Sequence, residues 1–170
     1  MRNILVTGGA RSGKSSFAEQ KAQEISSALT YIATAQAFDN EMQERINAHK
    51  ERREIGNWQL IEEPMDLCGA LISSDKEEHG LRLVDCITLW VTNLLLAEHD
   101  VKSEILQLID VLSRQQNPVI MVTNEVGMGI VPENALARKF RDLAGMTNQS
   151  IAAIADEVYM TVSGLPMRLK

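Results

Sequence analysis

The residues Gly8-Gly9-Ala10-Arg11-Ser12-Gly13-Lys14-Ser15 constrain this chain more than any other stretch. They follow the pattern G-x-x-x-x-G-K-[ST]. Before them stands a compact apolar run, Ile4-Leu5-Val6-Thr7; after them Phe17, Ala18, Ala22 and Ile25 recur at helical spacing. Strand, glycine-rich turn and helix in that order build a phosphate cradle. Glycine lets backbone N–H groups curl around phosphate oxygens, and the start of a helix adds partial positive charge. Lys14 then reaches the β- and γ-phosphates of ATP or GTP, and the Ser15 hydroxyl is a ligand for Mg²⁺. A P-loop fold is therefore expected.

The rest of the chain alternates in the same way. Strands are expected at residues 4–7, 29–33, 58–61, 81–84, 119–123 and 157–162, with a last short one near 167–169. Helices are expected at 15–26, 40–53, 64–72, 89–97, 103–115 and 133–155. Pro64 falls just inside the start of the third of these, and Asp39 is the expected N-cap of the second. Strands alternating with helices imply right-handed crossovers and a mainly parallel, three-layer α/β sheet, here closed by an antiparallel C-terminal hairpin turning at Ser163-Gly164. The 170 residues fit one domain spanning 1–170.

A formal charge of −6 removes the broad basic footprint of a nucleic-acid binder, so local cations must meet any phosphate. Cys68 and Cys86 read as two reduced thiols. The short apolar run before Gly8 is no signal-peptide core, and no segment reaches the roughly 20 apolar residues of a membrane span. A cytoplasmic protein is expected.

A metal-side carboxylate is expected at the end of a strand next to the cradle. Asp85, closing Leu81-Arg82-Leu83-Val84, fits; Glu125 competes with it. The guanine-reading motif N/T-K-x-D of a signalling GTPase is missing, since Thr123-Asn124-Glu125-Val126 lacks its Lys and Asp. The 40–53 segment carries Arg45, His49, Lys50, Arg52 and Arg53. Residues three and four apart share a helix face, so His49 joins either the apolar stripe of Met42 and Ile46 or a basic cluster. In the first case it is structural. In the second, nearby cations keep the ring neutral, and a neutral ring nitrogen is a nucleophile toward phosphorus. His79 and His99 stand in charged, turn-like stretches and read as surface residues.

Several stretches together resemble a known family. They are residues 4–15, Tyr31-Ile32-Ala33-Thr34-Ala35, Arg45-Ile46-Asn47-Ala48-His49-Lys50, Val122-Thr123-Asn124-Glu125-Val126-Gly127-Met128-Gly129-Ile130-Val131-Pro132, and Val162-Ser163-Gly164. The set is similar to the bifunctional adenosylcobinamide kinase / adenosylcobinamide-phosphate guanylyltransferases of cobalamin assembly. The resemblance implies phosphorylation of adenosylcobinamide by ATP or GTP. It also implies guanylylation of His49 by GTP and transfer of GMP to adenosylcobinamide phosphate. Nucleotide contacts are implied at residues 8–15, at Ala33, Thr34 and Ala35, at Lys50, Glu51, Arg52 and Arg53, and at Glu62 and Asp85. A RecA-like sheet and a homotrimer are implied as well. The competing reading is a simple P-loop small-molecule kinase with a structural His49.

Overall fold

The apolar runs of the sequence become the strands of one sheet. The computed structural model describes residues 2–36 and 58–170. Among them the order is β1 (Asn3–Gly8), α1 (Lys14–Ile25), β2 (Leu29–Ala33), β3 (Trp58–Glu62), α2 (Leu67–Ser73), β4 (Leu81–Asp85), α3 (Ile87–Leu96), α4 (Val101–Arg114), β5 (Val119–Val122), α5 (Ala135–Ile154), β6 (Glu157–Val162) and β7 (Leu165–Arg168). The strands lie in the order β3-β2-β4-β5-β1-β6-β7. Every pairing is parallel except the last, where β7 folds back on β6. The expected 40–53 helix, with His49, Lys50, Glu51, Arg52 and Arg53, lies outside the described residues.

Alternation within each strand feeds two separate cores. Ile4, Val6, Leu81, Leu83, Ile120 and Val122 pack with Ala18 and Ala22 of α1. Leu5, Val84, Val119 and Met121 face the other way, against Leu67 of α2, Trp90 of α3, Leu108 of α4 and Leu143 of α5. Both faces of the central strands are covered, which is why these strands are apolar throughout and why the sheet is parallel. The three-layer expectation is met.

Helix starts differ from the sequence reading where a capping side chain sets the boundary. Asp66 was expected inside a helix but stands before one, its carboxylate accepting from the Gly69 N–H at 2.8 Å. Asp100 and Asn134 cap α4 and α5 in the same way. At the amino edge of the sheet, Arg82 of β4 is fully buried. Its guanidinium donates to Asp75 Oδ1 at 2.8 Å and to Gln115 Oε1. Asp75 also accepts from the Gln116 and Asn117 amides at 2.7 and 3.0 Å, so one carboxylate ties together the chain entering β4 and the chain entering β5.

Candidate active site

The carboxyl edge of the sheet collects Ala33, Glu62, Asp85 and the turn after β1, all singled out by the sequence. Ala33 pairs in register with Glu62 on one side and Asp85 on the other; Asp85 is level with Val122, and Val122 with Val6. The chain leaves β1 two residues beyond that row, at Gly8. Strands are spaced about 4.8 Å apart, so Asp85 stands roughly 10 Å from β1, with β5 between them. Ligands of parallel α/β sheets bind at this edge.

The cradle itself is an open turn from Gly8 into α1. Gly13 is left-handed, at φ 89°, and its carbonyl accepts the first helical bond, from the Phe17 N–H at 3.0 Å. Only glycine takes that φ cheaply. Lys14 folds back over the turn, its Nζ donating to the Gly9 carbonyl at 3.1 Å. The ammonium is thus held directly above the loop whose amides would face a phosphate. Ser12, by contrast, turns its hydroxyl away, to within 2.9 Å of Thr161 Oγ1 in β6. Of the loop's side chains, those of the exposed Arg11 and of Lys14 and Ser15 remain to serve a ligand.

On the metal side, Tyr31 donates its hydroxyl to Asp85 Oδ2 at 2.8 Å. The buried Tyr31 ring is braced edge-on by Trp58, with centroids 5.9 Å apart. Thr34 secures the turn after Asp85. Its hydroxyl donates to the Cys86 carbonyl at 2.7 Å and accepts from the Cys86 N–H at 2.9 Å. Asn93 donates to the Thr34 carbonyl at 2.8 Å. The buried Thr34 side chain is therefore committed to the turn, the Ala33 carbonyl accepts from the Glu63 N–H at 2.9 Å, and Ala33 and Ala35 are half-buried. Burial pushes the Cys86 thiol up to about 12; Asp85 adds to the rise and Lys14 opposes it. A hydroxyl and a carboxylate fit a hard cation such as Mg²⁺, which completes its shell with phosphate oxygens and water.

Glu62 and Glu63 separate cleanly. Glu63 Oε1 accepts from the Met65 and Asp66 amides, both at 2.9 Å, and so is spent on the turn into α2. Glu62 is exposed at the end of β3, level with Ala33. Glu125, the rival of Asp85, is likewise occupied. Its Oε1 accepts from the Gly127 and Met128 amides, and its own N–H donates to the Gly8 carbonyl at 3.0 Å. The 124–132 loop is thereby fastened beside the cradle. Arg141 donates to the Gly127 carbonyl, and Arg138 to those of Pro132 and Glu133. The sequence reading gave Tyr31 and Thr161 no role. For Tyr31 a signal existed: strand alternation puts it on the same face as Ala33, whose register partner is Asp85.

Residues 4–169 match the CobU family model, described as cobinamide kinase / cobinamide phosphate guanyltransferase. This chain belongs to the CobU family. The bifunctional adenosylcobalamin biosynthesis protein CobP of Pseudomonas aeruginosa is 46% identical over 168 residues, covering 98% of this chain and 96% of that protein. The corresponding CobU of Salmonella typhimurium is 46% identical over 182 residues, covering 98% and 99%. That of Escherichia coli is 44% identical over a similar span. Among solved structures, a prototypical ATPase from the type III secretion system of pathogenic bacteria superposes with a TM-score of 0.60 at 13% identity. The match covers 94% of this chain and 50% of that one. The CobU-family chain thus spans half the length of the ATPase and shares its fold.

Proposed function

We propose that this protein phosphorylates adenosylcobinamide with ATP or GTP and then guanylylates the product through His49. In the first step the substrate hydroxyl oxygen bonds to the γ-phosphorus, the bond to the β-phosphate oxygen breaks, and the nucleoside diphosphate leaves. In the second, a ring nitrogen of His49 bonds to the α-phosphorus of GTP and pyrophosphate leaves. A phosphate oxygen of adenosylcobinamide phosphate then displaces the histidine, giving adenosylcobinamide-GDP. The observation that carries this reading is the agreement, over nearly the whole chain, with relatives named as bifunctional adenosylcobalamin biosynthesis proteins.

The residues of the carboxyl edge supply what both steps need. Amides of the 8–15 loop and the Lys14 ammonium hold the phosphates and take up charge as the leaving group departs. Ser15 and Asp85 are the residues that would hold Mg²⁺, with Tyr31 fixing the orientation of Asp85. Mg²⁺, when bound, neutralises negative charge developing on the phosphate oxygens. Glu62, exposed at the end of β3 and level with Ala33, is the acidic nucleotide contact, together with the segment Ala33, Thr34 and Ala35. Lys50, Glu51, Arg52 and Arg53 flank His49 in sequence, and their three cations favour a neutral, nucleophilic ring.

His79 precedes β4 and accepts from Thr30 through its carbonyl, at the amino edge. His99 follows α3 and pairs with Glu104 at 3.3 Å. Of the three histidines in the chain, His49 is the one to which the family resemblance assigns the covalent step. The proposal includes a cytoplasmic homotrimer, read by sedimentation velocity.

Incubation with GTP and Mg²⁺ followed by intact mass spectrometry tests the covalent step. One added GMP, mapped to the peptide bearing His49 and lost on mild acid treatment, is expected. Turnover of cobinamide without any adduct would leave a plain small-molecule kinase.

A further inference from the structure

The phosphate loop does not stand alone: the tip of the β6–β7 hairpin grips it from outside the motif. The two tip residues, Ser163 and Gly164, both have positive φ, 53° and 83°, as a tight two-residue hairpin turn requires. That turn aims the Gly164 N–H at the Ser12 carbonyl, 2.9 Å away. Two residue pairs back from the tip, Thr161 Oγ1 lies 2.9 Å from Ser12 Oγ and 3.2 Å from the Thr7 carbonyl. A hydroxyl has one proton to give. The Thr7 carbonyl can only accept, so Thr161 donates to it and Ser12 donates to Thr161. Residue 12 is then held by the hairpin through both its side chain and its carbonyl.

Two glycines of the motif answer to the same contact. A Cβ on Gly8 would come within 2.6 Å of Ser12 Oγ and of both Thr161 oxygens. A Cβ on Gly13 would meet the Gly164 Cα at 3.2 Å. The loop also carries a non-glycine residue, Arg11, in the left-handed region at φ 56°. Such a conformation persists only where surroundings over-determine it. The hairpin itself gains little from burial, since Leu165 and Met167 of β7 are 70% and 54% exposed.

We propose that Thr161 is a positioning residue for the triphosphate, acting through Ser12, and that the hairpin tip presets the loop before nucleotide arrives. This rests on the nucleotide-binding reading above. The test compares Thr161→Val and Thr161→Ser with the wild type in three measurements. These are hydrogen exchange of the loop amides, affinity for fluorescent ATP and GTP analogues, and thermal unfolding. Thr161→Val is expected to speed exchange across residues 9–13 and to weaken nucleotide affinity about tenfold, the scale of one hydrogen bond. Thr161→Ser, which keeps the hydroxyl, should restore both to within about twofold. A Thr161→Val protein that melts earlier yet keeps wild-type loop exchange and wild-type affinity would overturn the proposal. Faster loop exchange in Thr161→Val, beside a wild type that binds neither nucleotide, would uphold the hairpin grip and sink the functional reading instead.

Discussion

At the scale of single residues, the charged groups that matter are those whose partners are already in place. Glu157 of β6 shows this best. Its Oε2 accepts the Tyr159 hydroxyl, its Oε1 accepts from Arg2 Nε at 2.7 Å, and Lys21 of α1 stands 3.5 Å away. The Tyr159 hydrogen bond, ahead of the two cations, outweighs burial and pulls the carboxyl down to about 2 from an ordinary 4.5. The folded chain therefore holds its Glu157 proton less tightly than the unfolded chain does. The resulting stability is fully present above about pH 4.5 and drains away as pH falls through about 2. Urea unfolding followed across that window should show a shallower pH dependence for Glu157→Gln than for the wild type. Equal slopes would mean the carboxylate is not so held. Lys21 also lies 5.0 Å over the Tyr159 ring, so this one residue links the helix that opens the cradle to the strand that ends in the hairpin.

At the scale of elements, stability and function are divided between the two edges of the sheet. The amino edge carries the buried Arg82–Asp75 contact and no residue assigned to chemistry. Burial alone would raise the Asp75 carboxyl, but the Gln116 and Asn117 amides and the Arg82 guanidinium together hold it below the ordinary range. Removing one partner of such a pair strands the other. Arg82→Ala should cost about 3–5 kcal/mol in urea unfolding, and a loss under about 1 kcal/mol would contradict the pairing. Most strands and the phosphate loop were legible because apolar runs and glycine spacing are local signals. Residues 29–33 emerged with the bounds that periodicity gave them. Boundaries such as that at Asp66 were less so, since an Asp reads alike as the first residue of a helix and as its cap. The contacts of Thr161 with Ser12, and of Tyr31 with Asp85, join residues 149 and 54 positions apart. No local pattern announces a pairing across that separation; the sheet order creates it.

At the scale of the whole molecule, the fold sets the turn after β1 at the carboxyl edge of the sheet and ranges Asp85 and Glu62, among the described residues, along the same edge. Both proposed reactions attack phosphorus in a bound triphosphate, at the γ position in one and the α position in the other. On the proposal above, a shared cradle with a separate nucleophile would let a chain of 170 residues perform both. It also divides the residues into two classes with different consequences. The direct test assays phosphorylation of cobinamide and formation of cobinamide-GDP, from supplied cobinamide phosphate, in Lys14→Ala and His49→Ala side by side. With both proteins folded, Lys14→Ala should lose at least about a hundredfold in both reactions, as loss of a preorganised charge on a transferring phosphate does. His49→Ala should abolish only the guanylyl transfer and leave phosphorylation standing. A Lys14→Ala protein that retains either reaction at the wild-type rate would contradict the shared cradle.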